Sequence, residues 1–298
     1  MSGFRAAAAL SLAACVPLSS AGAGDPGAPA PAPAGLDGRV GRSEVAPSAP
    51  TLRADSPIVA LAVPGFDPAI VSLPLGATSR RPVLVATHGA GDRPEWQCEM
   101  WRDIVGDRAF VLCPRGKRID PKVPHEEAAY YYPTHYAIER EVAAALASLR
   151  ESYEPFVDTE RAVYAGFSQG AMMGGLVVMR NPSQFPRAVL IEGSYGQGQW
   201  VQIMARTFRR GGGERVLFAC GGGYCADRAR QSAQRVEQAG AKGKVVQGSG
   251  GHTYGGGVGQ AVKRAFDWVI EGDERWFLGG NARASAGAGS PAGATHSP

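Results

Sequence analysis

The sequence predicts an α/β fold: one domain with a mostly parallel central sheet, helices on both faces and no large cap domain. Short runs rich in Val, Leu, Ile and aromatics at 82–87, 108–113, 162–166, 188–191, 215–219 and 244–247 have the length and composition of buried strands. Stretches with helical apolar spacing at 136–153, 169–180, 227–239 and 258–270 lie between and after them, with Asn181-Pro182 and Gly240 as stop signals. Strand and helix in alternation imply parallel pairing in a sheet covered on both sides. Only about twenty residues separate the strand ending near Ile191 from the one beginning at Arg215, too few for a cap.

The domain occupies residues 56–279. Residues 16–55 are dominated by Ala, Pro and Gly, and 280–298 by Ala, Gly and Ser. Neither stretch has the apolar periodicity that offsets the entropy of ordering, so 15–55 reads as a flexible linker and 280–298 as a disordered tail. The net charge of +4 is spread along the chain without a Lys/Arg run interleaved with aromatics, which argues against nucleic acid as a partner.

Residues 1–14 read as an export signal. Arg5 gives a positive start, Ala6 to Ala14 form a short apolar run, and small residues lead up to Cys15. Leu12-Ala13-Ala14-Cys15 resembles the lipobox of bacterial lipoproteins, which implies cleavage before Cys15, acylation of its thiol and a lipid anchor at a bacterial membrane. An ordinary secretory peptide with an incidental Cys15 is the competing reading. The proline-rich segment that follows would act as an extended tether.

Setting Cys15 aside leaves Cys98, Cys113, Cys220 and Cys225, an even number in a chain that reads as exported. Local pairing, Cys98 with Cys113 and Cys220 with Cys225, is the simplest of the three connectivities. No CxxC spacing or histidine cluster points to zinc, and no metal site is expected.

In parallel sheets ligands sit beyond the carboxyl ends of the strands, so the residues following each strand are where chemistry belongs. Gly166-Phe167-Ser168-Gln169-Gly170 places a serine between a buried strand and an apolar helix. With 41 glycines in the chain the G-x-S-x-G match says little alone, but strand, sharp turn and helix are the setting that exposes a nucleophilic hydroxyl. His88-Gly89-Ala90-Gly91-Asp92 follows another strand and can supply backbone N–H groups to a developing oxyanion. One donor would be the N–H of Gln169, the other that of Ala90 or its neighbour. His88 itself reads as shaping the loop.

Of the five histidines only His252 and His296 follow Ser168, and His296 falls in the tail. His252, after the strand at 244–247, is the expected general base. Between Ser168 and His252 the carboxylates are Glu192, Glu214, Asp227 and Glu237. Asp227, read as opening a helix after the strand at 215–219, is the first choice for the triad acid. Glu192, which ends the strand at 188–191, is the alternative. Helix capping is the competing role for Asp227.

The His88–Asp92 turn, the 166–170 elbow and Gly251-His252, in that order and spacing, resemble the phospholipase/carboxylesterase family of α/β hydrolases, which includes acyl-protein thioesterases. Asp158-Thr159-Glu160-Arg161 before the nucleophile strand is similar to that family as well. The resemblance covers most of residues 80–272. It implies Ser168 as nucleophile, His252 as base, Ala90 and Gln169 as oxyanion hole, and an acid between Ser168 and His252. The sequence departs from the pattern at Gly221-Gly222-Gly223-Tyr224-Cys225-Ala226, a longer loop than the family's glycine-aspartate turn. A Cys220–Cys225 bridge would pin that loop and carry Asp227 back toward the sheet, making activity sensitive to reduction.

The expected activity is therefore hydrolysis of carboxylic esters, with thioesters open, through a Ser-His-Asp triad and an acyl-enzyme, without a cofactor. The substrate would be a small or polymer-linked ester, with Tyr131, Tyr254 and Trp101 as candidate pocket walls. Plain packing is the competing role for these aromatics. An exported serine peptidase of the same fold would need a further site for a peptide terminus or a propeller-like domain, neither of which is apparent. A non-catalytic, lipid-anchored binding module is the third reading, and the intact Ser, His and Gly set argues against it.

Overall fold

The structure, a computed structural model, describes residues 50–277 apart from Gln197. The export signal, Cys15, most of the linker and the tail lie outside the described residues. In chain order the elements are β1 (Ile58–Leu61), β2 (Ala69–Ser72), β3 (Val83–Thr87), α1 (Pro94–Val105), β4 (Phe110–Cys113), β5 (Lys117–Arg118), β6 (Tyr130–Tyr131), α2 (His135–Tyr153), β7 (Val163–Phe167), α3 (Gln169–Arg180), β8 (Arg187–Ile191), α4 (Gln202–Arg210), β9 (Arg215–Cys220), α5 (Gly223–Gln238), β10 (Lys242–Gln247) and α6 (Gly256–Ile270).

Eight strands form one sheet in the order β1-β2-β4-β3-β7-β8-β9-β10. β1, β2 and β4 pair antiparallel, and every pairing from β4 to β10 is parallel. Each central strand is buried along its whole length because both faces are covered. Val83, Val85, Tyr164 and Phe218 pack with Val142, Val177, Phe208 and Val236 of helices α2 to α5 on one side. Leu84, Ala165 and Leu217, one residue out of phase, pack with Trp101 of α1 and with Val262 and Phe266 of α6 on the other. The chain runs from β3 outward to β4 and then returns to β7 on the opposite side of β3. The carboxyl ends of β3 and β7 thus flank a topological switch point, the crevice where such sheets bind ligands.

All six expected strands and all four expected helices are present. Four larger elements fall outside the expectation. β1 and β2 are short edge strands, β1 half-exposed. α1 begins at Pro94, a residue preorganised for a first helical turn, and buries Cys98, Trp101, Ile104 and Val105 among charged neighbours that mask the pattern. α4 buries only Ala205 and Phe208. Between β8 and β9 lie only α4 and its loops, so no cap domain covers the crevice there. No helix among the described residues is long and apolar enough to cross a membrane.

One expected boundary is corrected. α5 starts at Gly223 rather than at Asp227. Cys220 at the end of β9 is bonded to Cys225 in the first turn of α5, which turns the chain into the helix at once. Cys225, Ala226 and Ala229 then face the core, and Asp227 points to solvent on the opposite side.

The other bridge, Cys98 to Cys113, ties α1 to the end of β4 within a wholly buried cluster. Such bonds persist in oxidising compartments, in keeping with the export expectation. Cross-linking across a sequence separation of 15 is worth about 3 kcal/mol in the chain-entropy view. Urea unfolding of a variant carrying both Cys98→Ala and Cys113→Ala should show a loss of about that size; an unchanged midpoint would mean that the bond does not form.

Candidate active site

Ser168 sits between β7 and α3 with φ 50° and ψ −112°, a conformation L-residues seldom adopt. The flanking glycines are a steric requirement. A Cβ on Gly166 would lie 2.6 Å from the Gly170 carbonyl oxygen, and one on Gly170 2.5 Å from the Thr87 oxygen. Ser168 N–H donates to Ile191 O at 2.9 Å, and Gly170 N–H to His88 O at 3.1 Å. The elbow is thereby bound to β8 on one side and to the turn after β3 on the other.

A buried pair of hydroxyls supports it from below. Thr87 Oγ1 and Tyr164 Oη lie 2.8 Å apart, and Tyr164 Oη donates to Gly170 O at 3.1 Å. Burial pushes the Tyr164 phenol up, so it stays protonated and keeps donating.

The turn after β3 is equally constrained. Its Gly91 N–H donates to Tyr130 O at 2.8 Å, and Tyr130 N–H donates to Asp92 O at 3.0 Å. His88 is fully buried, stacked on Tyr132, with Nδ1 2.7 Å from Gly89 O and Nε2 2.8 Å from Arg115 O. Burial pushes its pKa down, although both carbonyls oppose this, and a neutral ring can donate to only one of them. His88 therefore shapes the loop. Among the described residues neither the Ala90 N–H nor the Gln169 N–H has a hydrogen-bond acceptor. The Gln169 side chain turns away from the crevice and accepts from Tyr132 N–H at 2.8 Å.

His252 lies in the loop between β10 and α6, with Nε2 2.8 Å from Ser168 Oγ. Its Nδ1 faces Glu192 Oε2 at 3.4 Å. That separation is long for a hydrogen bond and within the range of an ion pair. The imidazole side chain is 58% exposed and the Glu192 side chain 6%. Glu192 immediately follows β8 with φ 52°, its N–H donates to Ala219 O at 2.9 Å, and its Oε1 accepts from Gly221 N–H.

The structure thus brings Ser168, His252 and Glu192 together, and not Asp227. Asp227 is exposed on α5, where its carboxylate pairs with Arg230. Asp227, the expected first choice, therefore does not face His252, whereas its alternative Glu192 does, because the bridged loop starts α5 early and turns Asp227 to solvent.

Trp101 takes the packing role instead: it is fully buried against Phe266 on the α1/α6 side of the sheet. Tyr131 is half-buried in the β5–β6 hairpin, whose β6 strand adjoins the 89–92 turn. Tyr254 packs edge-on against Phe167, which also touches the His252 ring, and its hydroxyl donates to Asp92 Oδ1 at 3.3 Å. Burial and the Asp92 carboxylate push the Tyr254 phenol up. Tyr254 thereby joins the base's loop to the turn after β3, a link without a local sequence signal. Glu192, Cys220 and Cys225 form the one grouping of metal-type donors among the described residues. The two sulfurs are bonded to each other and offer no thiolate.

No family model matches the chain, and no curated protein matches it. Solved structures do. TT1662 from Thermus thermophilus is 14% identical with a TM-score of 0.51, over 72% of this chain and 98% of that one. FphF, a Staphylococcus aureus fluorophosphonate-binding serine hydrolase solved with substrate bound, is 12% identical with a TM-score of 0.51, over 72% and 97%. S-formylglutathione hydrolase (FrmB) from the same organism is 13% identical with a TM-score of 0.51, over 74% and 99%. At such identities the likeness establishes the fold: the chain has the α/β-hydrolase fold.

The elbow's tight packing has a measurable consequence. Gly170→Ala drives a methyl group into the Thr87 and His88 carbonyls and should cost about 1–3 kcal/mol in urea unfolding. Wild-type stability in that variant would contradict the packing described.

Proposed function

We propose that this α/β-hydrolase-fold chain is a serine hydrolase that cleaves carboxylic esters through an acyl-enzyme, with Ser168 as nucleophile, His252 as general base and Glu192 as the acid of the triad. The 2.8 Å approach of His252 Nε2 to Ser168 Oγ, with Glu192 behind the ring, carries this reading.

In the first half-reaction Ser168 Oγ attacks the ester carbonyl carbon while His252 Nε2 takes its proton. The carbonyl oxygen becomes an oxyanion and is held by the N–H groups of Ala90 and Gln169. As the tetrahedral adduct collapses, His252 returns the proton to the departing alkoxide, leaving Ser168 acylated. Water then repeats the sequence with His252 as its base and releases the carboxylic acid. Glu192 holds the ring with Nε2 toward Ser168 and stabilises the imidazolium formed in each half. A hydroxyl and an imidazole perform acyl transfer unaided, so the chemistry calls for neither metal nor organic cofactor.

The exposure of His252 favours substrates that an open site can reach: small or medium carboxylic esters, including ones carried on a polymer, with thioesters within the same chemistry. Two of the similar structures are named as hydrolases, which agrees with this class without selecting a substrate. Tyr131 and Tyr254 are the candidate walls.

A fluorophosphonate probe should label the wild type and not Ser168→Ala. Steady-state assay with 4-nitrophenyl acetate should show Glu192→Gln losing on the order of 10³- to 10⁴-fold in kcat and Asp227→Asn staying within about twofold of wild type. The reverse pattern would return the acid to Asp227.

The same reading places the enzyme outside the cytoplasm on a lipid anchor, supported by the bridged cysteines and the Leu12–Cys15 pattern. Metabolic labelling with an alkyne fatty acid in a bacterial host should tag the wild type and not Cys15→Ser. Equal tagging of both would exclude this anchor.

A further inference from the structure

Glu192 and His252 come from different parts of the chain, and one short segment touches both Glu192 and the loop that carries His252. Gly221 N–H donates to Glu192 Oε1. Gly221 O accepts from Gly251 N–H at 3.3 Å, and Cys220 O accepts from Gly248 N–H at 2.8 Å. Gly251 directly precedes His252, and a Cβ on Gly221 would overlap the Gly251 carbonyl. The Cys220–Gly221 segment is therefore wedged between the acid's carboxylate and the base's loop.

Beside its pairing with β10, that segment is tied to α5 by the bond from Cys220 to Cys225. Beyond Gly221 come Gly222 and Gly223, where a Cβ would meet nothing within 4 Å, and Tyr224, which is 75% exposed. Two successive glycines without packing partners make a highly permissive stretch of backbone. Cys225, buried in the first turn of α5, anchors the far side of the loop. Both sulfurs and a Glu192 carboxylate oxygen lie within 4.8 Å of one another.

Resting on the proposed roles of Glu192 and His252, we infer that the Cys220–Cys225 bridge positions the active site. It fixes the Gly221 N–H that aims Glu192 at His252 Nδ1 and the Gly221 carbonyl that seats Gly251. Gly221 is a positioning residue, and the bridge makes turnover depend on thiol–disulfide state. Reduction by a dithiol converts the bond to two thiols while the reagent closes to its own disulfide; two electrons and two protons pass from reagent to protein. The Cys98–Cys113 bridge joins α1 to β4 and is the internal control.

The test compares wild type, a double variant carrying Cys220→Ala and Cys225→Ala, and one carrying Cys98→Ala and Cys113→Ala, with 4-nitrophenyl acetate as substrate. Without the loop bridge, kcat should fall about tenfold or more, the scale of a lost hydrogen bond to a charged group, with KM within about twofold and unchanged far-UV circular dichroism. Dithiothreitol should then have no further effect on that variant, whereas the control pair should lower the melting temperature and keep kcat. Should the loop variant fail to fold, stepwise reduction of folded wild type serves instead: activity should fall as Cys220 and Cys225 become alkylatable in quenched aliquots, before Cys98 and Cys113 do, and return when the reduced, unalkylated protein is reoxidised. Wild-type kcat in the folded loop variant, or full activity after Cys220 and Cys225 are alkylated, overturns the role of the bridge alone. A wild type that neither hydrolyses esters nor takes the fluorophosphonate probe overturns the triad reading beneath it.

Discussion

A serine held at φ 50° costs on the order of 1–2 kcal/mol relative to an ordinary backbone conformation, and the surrounding structure has to over-determine it. Here it does so from three sides: β8 accepts the Ser168 N–H, the turn after β3 accepts the Gly170 N–H, and the Thr87–Tyr164 hydroxyl pair supports the Gly170 carbonyl. At Gly166 and Gly170 backbone approaches backbone more closely than a side chain would allow. The glycines of the elbow, the parallel neighbours of β7 and the placement of the β3 turn are thus consequences of one strained residue. The same constraint leaves the hydroxyl at the mouth of the switch-point crevice beside the Gln169 N–H, the first of α3, which has no acceptor among the described residues.

The proposed base, His252, is positioned by leverage from further away. His252 lies in the loop before α6, so the seating of α6 determines where the imidazole goes. That helix has no basic residue in its own last turn. Arg187 and Arg215, at the starts of β8 and β9, instead reach its final carbonyls at Val269 and Trp268 with bonds of 3.0 and 2.9 Å. Cations at a helix C-terminus complement its dipole and satisfy orphan carbonyls. At the other end of the helix, Tyr254 links the base's loop to Asp92 across the Phe167 ring, while Gly221 holds it from the acid's side. The loop is fixed at both ends although the histidine is largely exposed.

Much of this was legible in the residues because it is local or ordered. Central strands covered on both faces must be continuously apolar, so 82–87, 162–166 and 215–219 announced themselves. The elbow needs small residues at fixed offsets, and only His252 follows Ser168 within the domain. Elements whose stability comes from a narrow contact were less visible: α4 hides behind arginines with two buried side chains, and α1 interleaves its apolar face with charge. Trp101 illustrates the limit for aromatics, since composition cannot separate a ring facing a pocket from one filling the core on the far side of the sheet.

By itself, then, the sequence determined the fold class, the turn that carries Ser168 and the one histidine that follows it within the domain, because each rests on a short-range pattern or on chain order. Which carboxylate faces His252 was decided by tertiary structure alone. Glu192 and Asp227 both follow strands, and their spacing along the chain is equally permissive. Which carboxylate meets His252 Nδ1 depends on the residue at which α5 begins, since one helical turn separates facing the sheet from facing water. That starting point is set by a bond between Cys220 and Cys225, whose neighbour Gly221 touches Glu192 and Gly251, residues 29 positions before it and 30 after it.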